Sequence, residues 1–391
     1  MRRIGGGNYG FEFIGRVNKM DLKKAREIID STDNEIAKLF EKRMQTVSEV
    51  AEYKKENNMP IYNGDRERDI INRLTEAAPS ELALYVKVLY NTLFDVSRAY
   101  QARRIGNNSE IADKIKNALE NGEKEMPMSA VIACQGKEGA YSGKAAEKMI
   151  YSPSIMYFNS FRGVFDAVKS GMCRYGVLPI ENSIHGSVNE VYDLMEDYEF
   201  YIVKSIKMQV NHVLAANPET KEVAEILSHE QALGQCSEYL KNCKAKITAC
   251  DNTAIAAENA AKKSGTAAIC SKECAEVYGL KIIDENISDS DNNYTRFICI
   301  SKKFEIYPGA DRASFMLTLP HVSGSLYSVI SKFAASGMNM TKIESRPIAG
   351  KDFEFKFYFE IEASSYSEEL YAVLTEIENA AEEFRFFGCY Q

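Results

Sequence analysis

Between Asp21 and Asn57 the chain contains neither glycine nor proline, and positions 26, 29, 33, 36, 40, 43, 47, 50 and 54 advance by threes and fours. That spacing marks one face of a helix. The face carries Arg26, Ile29, Asp33, Ile36, Phe40, Arg43, Val47, Val50 and Lys54. At ~1.5 Å per residue, about 37 residues make a helix of roughly 55 Å. A helix longer than a small domain is wide needs a partner, so the pattern predicts an intertwined helical dimer. Pro60 ends this helix, Asn63-Gly64-Asp65-Arg66-Glu67-Arg68 opens a second to about Ala77, and Pro79-Ser80-Glu81 starts a third to about Arg104. The inner face of the third holds Val86, Tyr90, Leu93, Ser97 and Tyr100 or Gln101.

Residues 107–127 are polar and charged and are expected to form a linker, with a short helix at most. From Met128 the pattern alternates strands and helices. Strands are expected over Ser129–Cys134, Ile155–Phe158, Arg174–Ile180, Tyr201–Met208, Ala224–Ser228, Ala245–Ala249, Ala267–Cys270 and Arg296–Ser301. Helices are expected near 139–150, 161–170, 231–241 and 252–263, and another from Ser187, where Val188, Val191, Leu194 and Met195 repeat at helical spacing. Lys302–Arg312, with Pro308-Gly309, is a second expected linker. Beyond it a βαββαβ order follows: strand Ser314–Leu319, helix Gly324–Ser336, strands Asn339–Ile348 and Phe353–Ala363, helix Glu368–Glu382 and strand Phe384–Cys389.

Composition narrows the picture. A chain of 391 residues suits two or three domains, and 45% apolar residues suit a globular protein. No apolar run approaches the roughly 20 residues of a membrane span. A net charge of −8 argues against nucleic acid as a partner. Nine cysteines without CxxC pairs fit a reducing cytoplasm, and four dispersed histidines suggest no metal site. No cofactor is expected. Residues 1–19, with three consecutive glycines and no long apolar core, are expected to be a tail or a mis-called start, with Met20 the native one.

Two places carry candidate chemistry. On the long helix Arg26, Arg43 and Lys54 share a seam with apolar residues. Desolvating a charge is costly unless an anion meets it. Asp33 can serve one cation; the others want an anion such as a dicarboxylate ligand. Ser97 and Gln101 add polar groups facing inward. In Tyr175–Val188 a buried strand, YGVLPI, breaks into Glu181-Asn182-Ser183-Ile184-His185-Gly186-Ser187. Ligands of open α/β sheets sit where strands end. Glu181, Asn182, Ser183 and Ser187 there suit an acid/base or carboxylate-binding site, or equally a turn that caps the next helix.

PIENSIHGSV resembles the signature of prephenate dehydratases. Three segments agree in order: Gly136-Lys137-Glu138-Gly139-Ala140-Tyr141-Ser142, Ser228-His229-Glu230-Gln231-Ala232-Leu233-Gly234-Gln235-Cys236 and Asn293-Tyr294-Thr295-Arg296-Phe297. The helical segment resembles the all-helical chorismate mutase domain, and residues 312–391 resemble an ACT regulatory domain, with Glu344-Ser345-Arg346-Pro347 as its ESRP motif. From about Met20 the whole resembles the bifunctional chorismate mutase–prephenate dehydratases.

The resemblance implies a multidomain protein: an all-α intertwined helical dimer domain (20–106), a two-lobed α/β dehydratase domain (128–303, second lobe about 210–280) and an α+β ACT domain (312–391). The implied substrates are chorismate and prephenate, in a cytoplasmic homodimer or homotetramer. Arg26, reaching over from the other subunit, and Arg43 would clamp carboxylates, Lys54 and Gln101 would contact the ether oxygen, and Arg66, Glu67 and Ser97 would complete the pocket. Asn63 stands where many relatives have Asp. In the dehydratase, Thr295 would be the essential hydroxyl and Arg296 the carboxylate clamp, near Glu181, Asn182 and Ser183. Thr253 is a further site residue by resemblance, or an N-cap by its setting; His229 suits a structural role better than a general acid. The effector phenylalanine would bind Ser323, Gly324, Ser325 and Leu326 together with Glu344, Ser345, Arg346 and Pro347 across a subunit interface. Ser325 replaces the family's Ala and bears on selectivity between phenylalanine and tyrosine. The rival expectations are an inactive amino-acid sensor and a dehydratase with a decayed mutase, the latter resting on Asn63.

Overall fold

The computed structural model describes residues 21–57, 59–105, 109–348, 350 and 354–391. The expected tail, 1–19, lies outside them, as does Phe353 at the start of one expected strand. The chain divides near residue 107 into two compact units.

The first unit is helical: α1 (Leu22–Glu56), α2 (Gly64–Ala77) and α3 (Ala83–Ile105). Asp21 caps α1 by accepting the Lys23 N–H at 3.2 Å, and Asn63 caps α2 by accepting the Arg66 N–H at 3.1 Å. α3 packs on both other helices, burying Phe94 and, from α1, Ala51. Ile29, Ile36, Phe40 and Val50 of the expected seam remain exposed. Two shorter helices cannot cover 35 residues of α1.

The second unit begins with α4 (Glu110–Asn121) and continues through β1 (Ser129–Gln135), α5 (Tyr141–Met149), β2 (Ser152–Phe158), α6 (Phe161–Lys169), β3 (Tyr175–Asn182), β4 (Gly186–Ser187), α7 (Asn189–Tyr198) and β5 (Tyr201–Gln209). A second lobe follows: β6 (Val213–Ala216), β7 (Glu225–Ser228), α8 (Glu230–Gly234), α9 (Ser237–Lys241), β8 (Lys246–Ala249), α10 (Thr253–Lys262), β9 (Thr266–Cys270), α11 (Lys272–Val277) and β10 (Lys281–Asp284). The chain then returns to the first lobe as β11 (Tyr294–Ser301). The first sheet has the order β2-β1-β3-β11-β5 with β4 beside β3; the second has the order β10-β6-β9-β7-β8. The lobes are joined twice, by 210–212 and by 285–293.

The last part is a βαββαβ unit: β12 (Arg312–Thr318), α12 (Ser325–Ala335), β13 (Asn339–Pro347), β14 (Phe355–Glu362), α13 (Glu368–Ala380) and β15 (Glu383–Tyr390). Its antiparallel sheet has the order β13-β14-β12-β15. This sheet is continuous with the first lobe through one apolar core. Leu178, Ile180, Ile298 and Ile300 cluster with Met316, Tyr358, Phe387 and Tyr390. At the seam Gly388 adopts φ 140°, and a Cβ there would lie 2.3 Å from the Ile202 carbonyl oxygen. Beside it the Ser205 N–H donates to the Gln391 carbonyl at 2.8 Å.

Both expected linkers are built into a second apolar core, that of the βαββαβ unit. In 107–127, Ala112, Ile115 and Leu119 lie at helical spacing on α4 and pack with Phe315, Leu374 and Ile377. The surrounding charge had hidden that stripe. In 302–312, Ile306 and Ala310 are buried, and the Tyr175 hydroxyl donates to Glu305 Oε2 at 2.7 Å. The helix expected over 231–241 is two short ones, because the Asp289 carboxylate accepts the N–H groups of Ser237 (2.8 Å) and Glu238 (3.0 Å) and restarts the helix there. The helix expected from Ser187 starts at Asn189, since Gly186 and Ser187 pair with β3 instead.

Candidate active sites

In the helical unit, α1 and α3 bring Arg43 against Ser97: the guanidinium donates to the Ser97 hydroxyl and, at 3.3 Å, to the Leu93 carbonyl. Gln101 is 7% exposed; its Nε2 donates to the Ser97 carbonyl at 3.2 Å, while its buried Oε1 has no partner among the described residues. The Lys54 ammonium donates to the Ile61 carbonyl. Burial lowers the pKa values of both Arg43 and Lys54, with the nearby Glu67 carboxylate opposing. Glu67 is also paired with Arg98, which in addition binds Asp95. Arg98 was missed in the sequence, although Asp95 and Arg98 stand at salt-bridge spacing. Arg43, Lys54, Glu67, Ser97 and Gln101 therefore converge. Arg26 and Arg66 do not join them: both side chains are exposed. Along α1, Arg43 lies seventeen steps beyond Arg26, roughly 25 Å at ~1.5 Å each.

The second candidate site lies at the strand ends of the two lobes. β1 and β3 run parallel, so the loop after Gln135 and the end of β3 share one edge, where antiparallel β11 begins. There the Asn182 Nδ2 donates to Thr295 Oγ1 and to Asn293 Oδ1, each at 2.9 Å. The Asn182 Oδ1 accepts the N–H groups of Ile184 and His185, both at 3.0 Å, folding the loop that follows. Ser183 Oγ donates to the Asn292 carbonyl and accepts the Tyr294 N–H, both at 2.9 Å. Asn182 and Ser183 thus meet the segment that carries Thr295, although more than a hundred residues separate the two segments. Asn293 was overlooked as a site residue, although it opens the N-x-TRF segment. It is 1% exposed and its Nδ2 has no partner among the described residues.

In the second lobe β7 runs parallel to β8 and β9, and α10 and α11 of this lobe meet the glycine-rich loop after β1. Lys137, on the glycine-rich loop, pairs with Glu258 at 2.6 Å, and the Tyr278 hydroxyl donates to the Glu138 carbonyl at 3.2 Å. Gly139 has φ 86°, and a Cβ there would meet the Cα and Sγ of Cys274 at 3.1 Å. Thr253 is the first residue of α10, partly buried; the cap is Asn252, whose Oδ1 accepts the Ile255 N–H at 2.8 Å. The N-cap reading of Thr253 is therefore corrected. His229 caps α8 with its Nδ1, 3.2 Å from the Gln231 N–H, a structural role. His212, on one lobe crossing, is buried with its Nε2 2.8 Å from Gln235 Oε1; burial lowers its pKa.

Arg296, the expected carboxylate clamp, turns away from Thr295 and is paired within the protein. Neighbouring strand residues face opposite ways. Thr295 turns to Asn182, and Arg296 turns to the C-terminal sheet. Its guanidinium pairs with Glu360 and, at 3.1 Å, with Glu181 Oε2, and its side chain is only 8% exposed. Two carboxylates already satisfy its charge. Glu360 also accepts from Arg312 (3.1 Å), Thr341 (2.7 Å) and Tyr390 (2.8 Å). Burial pushes the Glu360 pKa up, but Arg296 and these donors outweigh it and hold it at about 2.

The remaining candidates divide between two faces. Ser323, Ser325 and Leu326 line an open recess with Pro320, His321 and Phe355. Gly324 opens α12 with φ 93°. On β13, Lys342, Glu344 and Arg346 alternate onto the first lobe. Glu344 bonds to the Ser187 hydroxyl, and Arg346 binds Asp193 through two nitrogens, Nη2 at 3.2 Å. Ser345 and Pro347 are exposed and pair in register with Phe357 and Phe355 of β14, which line the recess. Within one chain, then, Glu344 and Arg346 face the first lobe and not the recess.

Residues 25–102 match the family model of chorismate mutase type II, and residues 132–305 match that of prephenate dehydratase. The bifunctional chorismate mutase/prephenate dehydratase of Aquifex aeolicus is 29% identical over 374 residues, which are 95% of this chain and 98% of that protein. Arogenate dehydratase/prephenate dehydratase 2 of Arabidopsis thaliana, chloroplastic, is 34% identical over 310 residues, covering 75% of this chain and 81% of that protein. A crystal structure of prephenate dehydratase from Arthrobacter aurescens in complex with L-Phe shares the fold over 66% of this chain and 89% of that one, with TM-score 0.60 and 24% identity. With both family models matched in one chain and a bifunctional relative aligned from end to end, the chain belongs to the bifunctional chorismate mutase/prephenate dehydratase family.

Proposed function

We propose that the two activities occupy two sites, the mutase in the helical unit and the dehydratase at the shared strand edge. Chorismate rearranges to prephenate without a nucleophile or a proton transfer. The site must fold the substrate and stabilise negative charge on the ether oxygen. Arg43 takes a carboxylate, Lys54 and Gln101 take the ether oxygen, and Ser97 and Glu67 hold this arrangement. The exposed seam of α1 is covered by a second copy in a homodimer or a larger homo-oligomer. Arg26 of the partner subunit then supplies a second carboxylate clamp, with Arg66 at the rim. The Oε1 of buried Gln101, without a partner among the described residues, beside desolvated Arg43 supports a ligand in this place.

Prephenate loses its ring hydroxyl and CO2, and aromatisation to phenylpyruvate drives the reaction. Thr295 stands beside the leaving hydroxyl, held by Asn182, with Ser183 and Glu181 shaping the loop and Thr253 facing from the second lobe. Arg296 is given a positioning role. The observation that carries this reading is the 2.9 Å bond from Asn182 to Thr295, which joins two motifs distant in sequence. The βαββαβ unit is read as an ACT domain. Phenylalanine binds its recess at Ser323–Leu326, with Ser345 and Pro347 on the same side, and lowers dehydratase activity; Glu344 and Arg346 relay the change. Nine cysteines without a disulfide support a cytoplasmic setting.

Chorismate supplied to the full chain, with prephenate and phenylpyruvate both measured, tests the reading. The wild type should yield phenylpyruvate. Thr295→Ala should stop at prephenate, with kcat of the second step down about a hundredfold. Near-normal phenylpyruvate output from that variant would remove Thr295 from the site.

A further inference from the structure

The Glu181 carboxylate is held from two sides. Arg296 holds Oε2 at 3.1 Å from within its own sheet, and Lys342 holds Oε1 at 3.3 Å from β13 of the C-terminal unit. Lys342 also donates to Ser187 Oγ at 2.6 Å, lies 3.2 Å from Glu344 and sits over the Tyr192 ring at 5.1 Å. Its side chain is 10% exposed. Ser187 begins where the loop that follows Asn182 rejoins β3. One ammonium therefore grips both ends of the Glu181–Ser187 loop, whose middle is folded by Asn182.

We propose that Lys342 is a positioning residue of the dehydratase: the C-terminal unit completes the catalytic loop by fixing the Glu181 carboxylate and the Ser187 hydroxyl. This rests on the reading that the Glu181–Ser183 loop belongs to the dehydratase site. A half-exposed ion pair by itself is weak grounds even for stability. Here the geometry goes further. A pair that only joined the domains could fall anywhere along β13. Arg346 does join them, on α7 just past the loop, through Asp193 and the Asn189 carbonyl. Lys342 instead ends on the loop that presents Asn182 to Thr295, so that a displacement of β13 changes the catalytic geometry directly. Errors of about 1 Å in such positions cost catalysis up to a hundredfold.

The test is a double-mutant cycle on the full chain with prephenate as substrate, and with mutase turnover as the control for folding. Lys342→Met should lower dehydratase kcat about tenfold or more with KM nearly unchanged, because alignment rather than binding is lost. Mutase turnover should stay as in the wild type. Lys342→Arg should restore most of the loss. In a Glu181→Gln background, Lys342→Met should add less than about a twofold loss, since coupled residues are not additive. If Lys342→Met fails to fold, Lys342→Gln takes its place, removing the charge but keeping a donor for Ser187. Undiminished kcat in Lys342→Met or its substitute, beside a clear loss in Glu181→Gln, overturns the inference and leaves the site reading standing. Full additivity of the two losses overturns it as well. Undiminished turnover in Glu181→Gln sinks the site reading and the inference with it.

Discussion

The Arg296 guanidinium and the Glu360 carboxylate form a buried ion pair that joins the strand carrying Thr295 to the C-terminal sheet. Removing one partner of a buried pair leaves an uncompensated charge and costs about 3–5 kcal/mol. Glu360→Gln should therefore lower the melting temperature of the second unit by several degrees, read by scanning calorimetry. Arg296→Met combined with Glu360→Met should recover part of the loss, because paired apolar replacements remove both charges together. The recovery should be incomplete, since Arg312, Thr341 and Tyr390 also lose their acceptor. A loss below about 1 kcal/mol in Glu360→Gln would mean that the pair is well compensated by its neighbours.

The same carboxylate should impose an acid limit on stability. Glu360 is held at about 2, below the ordinary 4.5. A group whose folded value is depressed stabilises the fold above its unfolded value, and that contribution disappears as pH falls through the folded value. Stability of the second unit should decline between pH values of about 4.5 and about 2, by roughly 3 kcal/mol from this group. Denaturant titrations at several pH values should show a shallower decline for Glu360→Gln than for the wild type.

Lys54 should limit the mutase from the alkaline side. Burial lowers its pKa from the free-lysine value of 10.5, and in the proposed mechanism it is the charged form that stabilises the ether oxygen. Mutase activity should therefore fall, as pH rises, at a pH below that of free lysine, while dehydratase activity does not share this limb. Lys54→Met should cost about 10²–10³ in mutase kcat and leave prephenate turnover intact. Parallel losses in both activities of a folded variant would contradict two separate sites.

Gly324 should control effector affinity without touching the chemistry. Its φ of 93° is a conformation that L-residues enter at a cost of about 1–2 kcal/mol, and a Cβ there meets nothing within 4 Å. Gly324→Ala should weaken phenylalanine binding about five- to tenfold by calorimetry on the full chain, with uninhibited dehydratase turnover unchanged. Unaltered phenylalanine affinity would move the effector away from the Ser323–Leu326 turn.

Much of this organisation was legible in local pattern. The seam of α1 and the alternation of Phe355–Glu362 fix helix and strand through periodicity alone. The joining of Asn182 with Thr295 required the motif order as well, because their partnership is long-range. Two things were hidden. The stripe Ala112, Ile115 and Leu119 is three small or aliphatic residues amid charge, so α4 passed for a linker. The direction of Arg296 depends on strand alternation against a sheet that arrives only after Arg312. A cation in a motif shows its charge in sequence; which face it occupies is decided by tertiary packing. Lys342 and Glu360 were passed over for the same reason, as their partners lie 161 and 64 residues away.

The close approach of Gly388 to Ile202 bears on how this gene can be shortened. A stop codon after Phe304 would not simply release an unregulated dehydratase. It would bare the β5 edge, whose unpaired backbone groups invite other strands. It would also expose the apolar surface now shared with Met316, Tyr358, Phe387 and Tyr390, and leave Arg296 without Glu360. Such a product should be recovered in inclusion bodies. On the effector reading proposed above, point changes in the Ser323–Leu326 turn relieve inhibition and leave the weld at Gly388 closed.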